Sequence, residues 1–133
     1  MTESLVCRFL RQGLHVRVPV TGSSMAPSIR SGDIVVVAPV TAGLPAPGEV
    51  ALYATGRRII AHRLVAFDAC RFILKGDAVP VADLPVEIER LLGKVIRVER
   101  AQESGMIGRA RRIANVARVN SLRFLFYVIL FFI

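Results

Sequence analysis

Ser24 lies in the run Thr21-Gly22-Ser23-Ser24-Met25-Ala26-Pro27-Ser28-Ile29-Arg30-Ser31-Gly32-Asp33, a stretch dense in turn-forming residues. A hydroxyl acts as a nucleophile when a rigid turn exposes it and backbone N–H groups face the developing oxyanion. Gly22 would allow close approach of a substrate, Pro27 would fix the backbone after the turn, and Met25 would anchor the loop in a core. An ordinary surface loop has the same composition, so this segment alone does not separate catalysis from connection. The hydroxyl also needs a base, and the chain holds two imidazoles, His15 and His62. His15 sits in a charged segment near Gly13 and reads as a surface or strand-end residue. His62 follows Ile59-Ile60-Ala61 in a strand-like run. A lone strand histidine is commonly structural, and His62 gains meaning from Ser24 and from an acid able to orient its ring. Asp77 and Asp83 bracket the loop at 78–82, and either carboxylate suits that task.

Short strands separated by glycine turns must position these groups. Residues 4–12 fit a short amphipathic helix ended by Gly13. Val16-Arg17-Val18-Pro19-Val20 alternates like a strand, with the proline marking an edge or an end. Strands are expected at 34–37, 50–53, 58–65, 71–75 and 93–98, with a proline-rich loop at 39–48 and a hairpin turn at Thr55-Gly56-Arg57. Residues 86–92 read as a short helical turn. This pattern predicts a mainly β protein with a single antiparallel β domain over 16–104, preceded by a short helix within 1–15. Beyond Gly105 the period becomes helical, with Ile107, Ala110, Ala114 and Ala117 on one face, so 105–133 is expected to be a basic C-terminal helix with an apolar tail.

The chain has 133 residues, enough for one domain with a real core and too few to expect two. Its apolar fraction of 53% excludes disorder as the general state. The net charge of +8 owes much to Arg109, Arg111, Arg112, Arg118 and Arg123. No aromatic residues interleave with these arginines, so nucleic acid is not an expected partner, and an anionic lipid surface suits them better. Residues 124–133 are ten consecutive apolar residues, about 15 Å as a helix against a bilayer core of ~30 Å. The tail is therefore expected to dip into a membrane surface without crossing it, unless it closes the protein's own core. Positive residues before it favour the cytoplasmic face, with the extracytoplasmic face still open. Arg8, Arg11 and Arg17 interrupt any signal-peptide core near the N-terminus. Cys7 and Cys70 read as unpaired thiols, Cys70 as a small core residue, and no metal-ligand spacing is present.

Taken in order, four segments resemble the conserved boxes of type I signal peptidases. Gly22-Ser23-Ser24-Met25-Ala26-Pro27 with Gly32-Asp33 is similar to the nucleophile box, and Ala61-His62-Arg63-Leu64-Val65 to the base-carrying strand. Phe72-Ile73-Leu74-Lys75-Gly76-Asp77 with Asp83 resembles the third box, and Leu92-Gly93-Lys94-Val95 the closing strand. The resemblance runs from about Val16 to Val98. Because histidine stands before Arg63 where the common bacterial branch has lysine, the chain resembles the histidine branch of the ER complex and archaea. That resemblance implies a signal-peptidase or LexA-like β fold, Ser24 as nucleophile, His62 as general base and Asp83 as its orienting acid. Asp77 would then be structural or secondary, with Gly22, Ser23, Met25, Pro27 and Arg63 supporting the site and the Ser24 N–H serving the oxyanion hole. It implies no metal or organic cofactor.

Two features depart from that family. Gly22 stands where some members carry a second serine, and no N-terminal membrane helix precedes the domain. The expected function is a membrane-associated serine endopeptidase that removes signal or leader peptides from a peptide or preprotein substrate after a small residue. Two alternatives remain: a leader peptidase of a cytoplasmic peptide-maturation system, and a non-catalytic basic β module that binds membranes. A self-cleaving LexA-type repressor is set aside, since about 20 residues before Ser24 leave no room for a DNA-binding domain and a cleavage site.

Overall fold

Alternating and continuous β-branched runs become eight strands of one sheet in the computed structural model, which describes residues 4–68, 70–100 and 127–128. The strands are β1 (Val16–Pro19), β2 (Ile34–Pro39), β3 (Val50–Thr55), β4 (Arg58–Asp68), β5 (Arg71–Lys75), β6 (Val86–Glu87), β7 (Leu91–Glu99) and β8 (Tyr127–Val128). Their order is β6-β5-β4-β3-β7-β2-β1-β8, antiparallel throughout except for the parallel pair β1–β8. The chain is thus mainly β, as its turn spacing predicts. One helix, α1 (Leu5–Arg11), precedes the sheet. The Ser4 side chain accepts from the Cys7 N–H to cap its start, and Gly13, at φ 81°, turns the chain out of it.

The sheet buries apolar side chains on both faces, which explains why β3 is a continuous apolar run rather than an alternating one. Val50 and Leu52 join Val35, Val37 and Leu92 in one core, closed by Val6, Cys7 and Leu10 of α1 and by Met25 and Ile29. Ala51 and Tyr53 face the other core with Leu64, Phe72, Leu74, Val86 and Leu91. At Gly93 the backbones crowd: a Cβ there would lie 2.2 Å from the Ala38 carbonyl oxygen and 2.7 Å from Val37 Cγ1. Only glycine lets β7 pass β2 at that point.

One register matters for function. β4 pairs with β3 along Arg58–Arg63, but its other edge meets β5 only from Arg63 onward. Among the described residues, the outer edge of Arg58–His62 is therefore unpaired.

Three expectations change. Residues 86–92 divide into the strand β6, a 3-10 turn at Ile88–Arg90 and the start of β7, because Leu91 and Leu92 are buried as sheet residues. Cys70 is exposed in the β4–β5 turn rather than in the core; Cys7 is the buried thiol, and both are free. The expected C-terminal helix is absent at Tyr127–Val128, which are extended against Val16 and Arg17. An open strand edge satisfies their backbone groups, and tyrosine and valine favour extended backbone. The rest of that expected helix, including the arginine-rich stretch and most of the apolar tail, lies outside the described residues.

Candidate active site

The nucleophile loop joins β1 to β2 and is held at several points. Met25 and Ile29 insert into the α1-side core, and the Ile29 N–H donates to the Met25 carbonyl at 2.9 Å. Gly22 adopts φ 87°, where L side chains are strained, and Ala26–Pro27 is a cis peptide. Buried Asp33 accepts from the Arg30 N–H at 2.8 Å and from Arg100 Nη1 at 3.1 Å, while Arg100 Nη2 donates to the Ser28 carbonyl at 2.9 Å. These ties make the turn around Ser24 a rigid one. Among the described residues the Ser24 N–H donates to no protein acceptor.

His62 reaches that loop from the middle of β4. Its register partner on β3 is Ala51, fully buried and small enough to leave room for the imidazole. His62 Nε2 lies 3.1 Å from Ser24 Oγ, and Nδ1 lies 2.5 Å from Asp83 Oδ2. A carboxylate accepts, so the ring proton belongs on Nδ1, which leaves Nε2 free to accept from the serine hydroxyl. Asp83 Oδ2 also accepts from the Tyr53 hydroxyl at 2.8 Å. Burial pushes the Tyr53 phenol well above its ordinary range, and the hydrogen bond to Asp83 adds to that shift. The Asp83 N–H donates to the Leu74 carbonyl at 2.8 Å, which brings the loop after β5 back toward β4.

Asp77 has another partner. Arg63 Nε and Nη2 grip its two oxygens at 2.8 and 2.6 Å, and Arg63 Nη1 donates to the Gly48 carbonyl at 2.7 Å. The guanidinium holds the Asp77 carboxyl down at about 2. Arg63 Nη2 also reaches Ser28 Oγ at 3.4 Å. Asp77 and Arg63 therefore tie β4, the post-β5 loop and the nucleophile loop together. Ser23 is exposed beside Ser24. Lys75 Nζ turns to the Gly76 carbonyl at 3.4 Å.

Gly76 fits where no side chain can. A Cβ there would stand 2.7 Å from the Ser24 carbonyl oxygen and 3.1 Å from His62 Nε2. The Ala78 N–H donates to the same Ser24 carbonyl at 2.9 Å. Ser24 and His62 open on a cleft of about 500 Å³, walled by Val18, Val20, Met25, Leu52, Ile59 and Ala61 among others. Both β1 at Val18–Pro19 and β4 at Arg58–His62 border it, and among the described residues their cleft-side edges are unpaired.

The geometry thus brings together Ser24, His62 and Asp83, which lie far apart in sequence, and assigns Asp77 to Arg63. Sequence reasoning missed Tyr53 and the tight fit at Gly76. Tyr53 stands in an apolar strand like any core aromatic and carries no signal of its own; Gly76 was visible as a member of the third box, with nothing to mark its close fit. No group of three His, Cys, Asp or Glu side chains among the described residues could hold a metal ion. No helix among them is long and apolar enough to cross a membrane. A scan of protein-family models and a search of curated proteins found no match to this chain.

Proposed function

We propose that this protein is a serine endopeptidase that cleaves extended peptides by Ser24–His62–Asp83 chemistry. The observation that carries this reading is the unbroken chain of contacts from Ser24 Oγ through both nitrogens of His62 to Asp83, at 3.1 and 2.5 Å, at the mouth of an apolar cleft. A peptide laid in the cleft would find open strand edges on both sides to hydrogen-bond its backbone. Ser24 Oγ attacks the scissile carbonyl as His62 Nε2 takes its proton, and the Ser24 N–H faces the oxyanion. Asp83 holds the Nδ1 proton and steadies the imidazolium. His62 then passes its proton to the departing amine, and the acyl-enzyme is hydrolysed by a water that His62 activates in turn. The resemblance of the four boxes to signal peptidases makes signal or leader peptides the proposed substrates, and the apolar cleft lining suits them. No metal or organic cofactor enters the scheme. Peripheral membrane association through the tail belongs to the same proposal.

The test is cleavage of a leader-peptide library followed by mass spectrometry. Ser24→Ala and His62→Ala should lower kcat/KM by about 10³-fold or more, while Ser23→Ala and Lys75→Ala keep most of it. Full activity in Ser24→Ala would defeat the proposal. Activity in His62→Ala beside a folded but dead Lys75→Ala would replace it with a serine–lysine mechanism.

A further inference from the structure

The register of β3 against β4 sets Tyr53 opposite Ile60 and Ala51 opposite His62. Cross-strand partners share a face, so Tyr53 and His62 are diagonal neighbours on it. Their rings meet edge-on, with centroids 6.4 Å apart and planes at 64°. Tyr53 is 4% exposed, so its hydroxyl needs a partner, and that partner is Asp83 Oδ2, the oxygen that also faces His62 Nδ1. One carboxylate oxygen therefore sits between two donors from adjacent strands. Asp83 itself belongs to the loop after β5, where its neighbours Leu84 and Ala82 are exposed. Its N–H bond to Leu74 secures the backbone but leaves the side chain free to turn about χ1 and χ2.

We infer that Tyr53 is a positioning residue of the active site: its hydroxyl fixes the Asp83 carboxylate and its ring walls the His62 imidazole, so that Nε2 stays aimed at Ser24. The inference rests on the peptidase reading and adds to it a fourth side chain that touches no substrate. Asp83 is met from β4 by His62 and from β3 by Tyr53, and Glu87 and Arg90 line the hollow on its far side. Removing the phenol takes one donor from the carboxylate. The carboxylate is then free to turn away, and the imidazole loses its fixed aim at Ser24.

The probe is an alkyl fluorophosphonate, which needs no knowledge of the natural substrate. Ser24 Oγ forms a bond to phosphorus, fluoride leaves, and His62 takes the serine proton; intact-mass spectrometry counts the adduct. In Tyr53→Phe the second-order labelling rate should fall roughly 5- to 30-fold. The melting temperature should stay within a few degrees of wild type. In an Asp83→Asn background the same substitution should change the rate less than twofold, because Tyr53 acts through Asp83. A wild-type rate in Tyr53→Phe, or undiminished losses in the Asp83→Asn background, would overturn the inference. Undiminished labelling of Ser24→Ala would instead defeat the peptidase reading. The hydrogen bond has its own readout should Tyr53→Phe fail to fold. The chain has two tyrosines, so in Tyr127→Phe the phenolate absorbance reports Tyr53 alone. It should resist ionisation to strongly alkaline pH and titrate lower once Asp83→Asn is added; titration as a free phenol in the folded Tyr127→Phe protein would overturn the inference.

Discussion

At Gly76 a missing methyl group lets two reacting residues meet. Gly76 directly follows β5, and its backbone runs so close to the nucleophile loop that a Cβ would press on the Ser24 carbonyl and on His62 Nε2 together. Neither neighbour can give way freely, because one is backbone and the other is held by Asp83. Gly76→Ala should therefore push Ser24 and His62 apart by a few tenths of an ångström or more. Misplacement on the scale of 1 Å costs on the order of 10²-fold in rate, so kcat should fall by about 10- to 100-fold. Steady-state kinetics beside thermal melting check this; full kcat in a folded variant would show that the contact is not needed. Gly22 is a different case, since nothing lies near its absent Cβ and the demand there is the positive φ alone.

Between elements, the Arg63–Asp77 pair joins β4 to the post-β5 loop, and its reach to Gly48 and Ser28 adds two more loops. Asp77 is held at about 2, below its ordinary 3.8, chiefly by the Arg63 hydrogen bond. A carboxyl depressed in the folded state binds protons less readily there than in the unfolded chain. Its contribution is thus fully present above pH ~4 and is lost as pH falls through about 2. The pair is partly exposed, Arg63 more than Asp77, so the effect is modest. Urea midpoints measured from pH 5 to 2 should fall more steeply for the wild type than for Asp77→Asn. Parallel curves would mean that the pair does not stabilise the fold. The helix α1 plays a simpler part, closing one core through Val6, Cys7 and Leu10.

For the molecule as a whole, the members of both hydrophobic cores among the described residues fall within 6–98. The two-residue strand β8 pairs with the edge of β1. Deleting residues 122–133 should accordingly leave the β-rich circular dichroism spectrum and shift the melting temperature by only a few degrees. The same deletion should release the protein from anionic vesicles if the tail is what holds it there. Vesicle flotation and thermal melting of the shortened chain measure the two effects separately. Unfolding on deletion would mean that the tail belongs to the core and would remove the argument for membrane association.

What could be read along the chain was local. Turn residues, two-residue periodicity and the Gly13 signal marked α1 and most strand positions, since each depends on a few neighbouring dihedral angles. Box order brought out Ser24 and His62, whose contact spans 38 residues. The residues alone left Asp77 and Asp83 as equal candidates to face His62, because both flank one loop. Tertiary register separates them: Arg63, next to His62 on β4, takes Asp77, while the Asp83 N–H docks on Leu74 and turns that carboxylate to Nδ1. Tyr53 was hidden for the same reason. Its hydroxyl contact crosses 30 residues and exists only because β3 pairs with β4 at Tyr53↔Ile60. A one-residue slip in that pairing would put Tyr53 on the opposite face, so the site depends on strand register that local propensity does not encode.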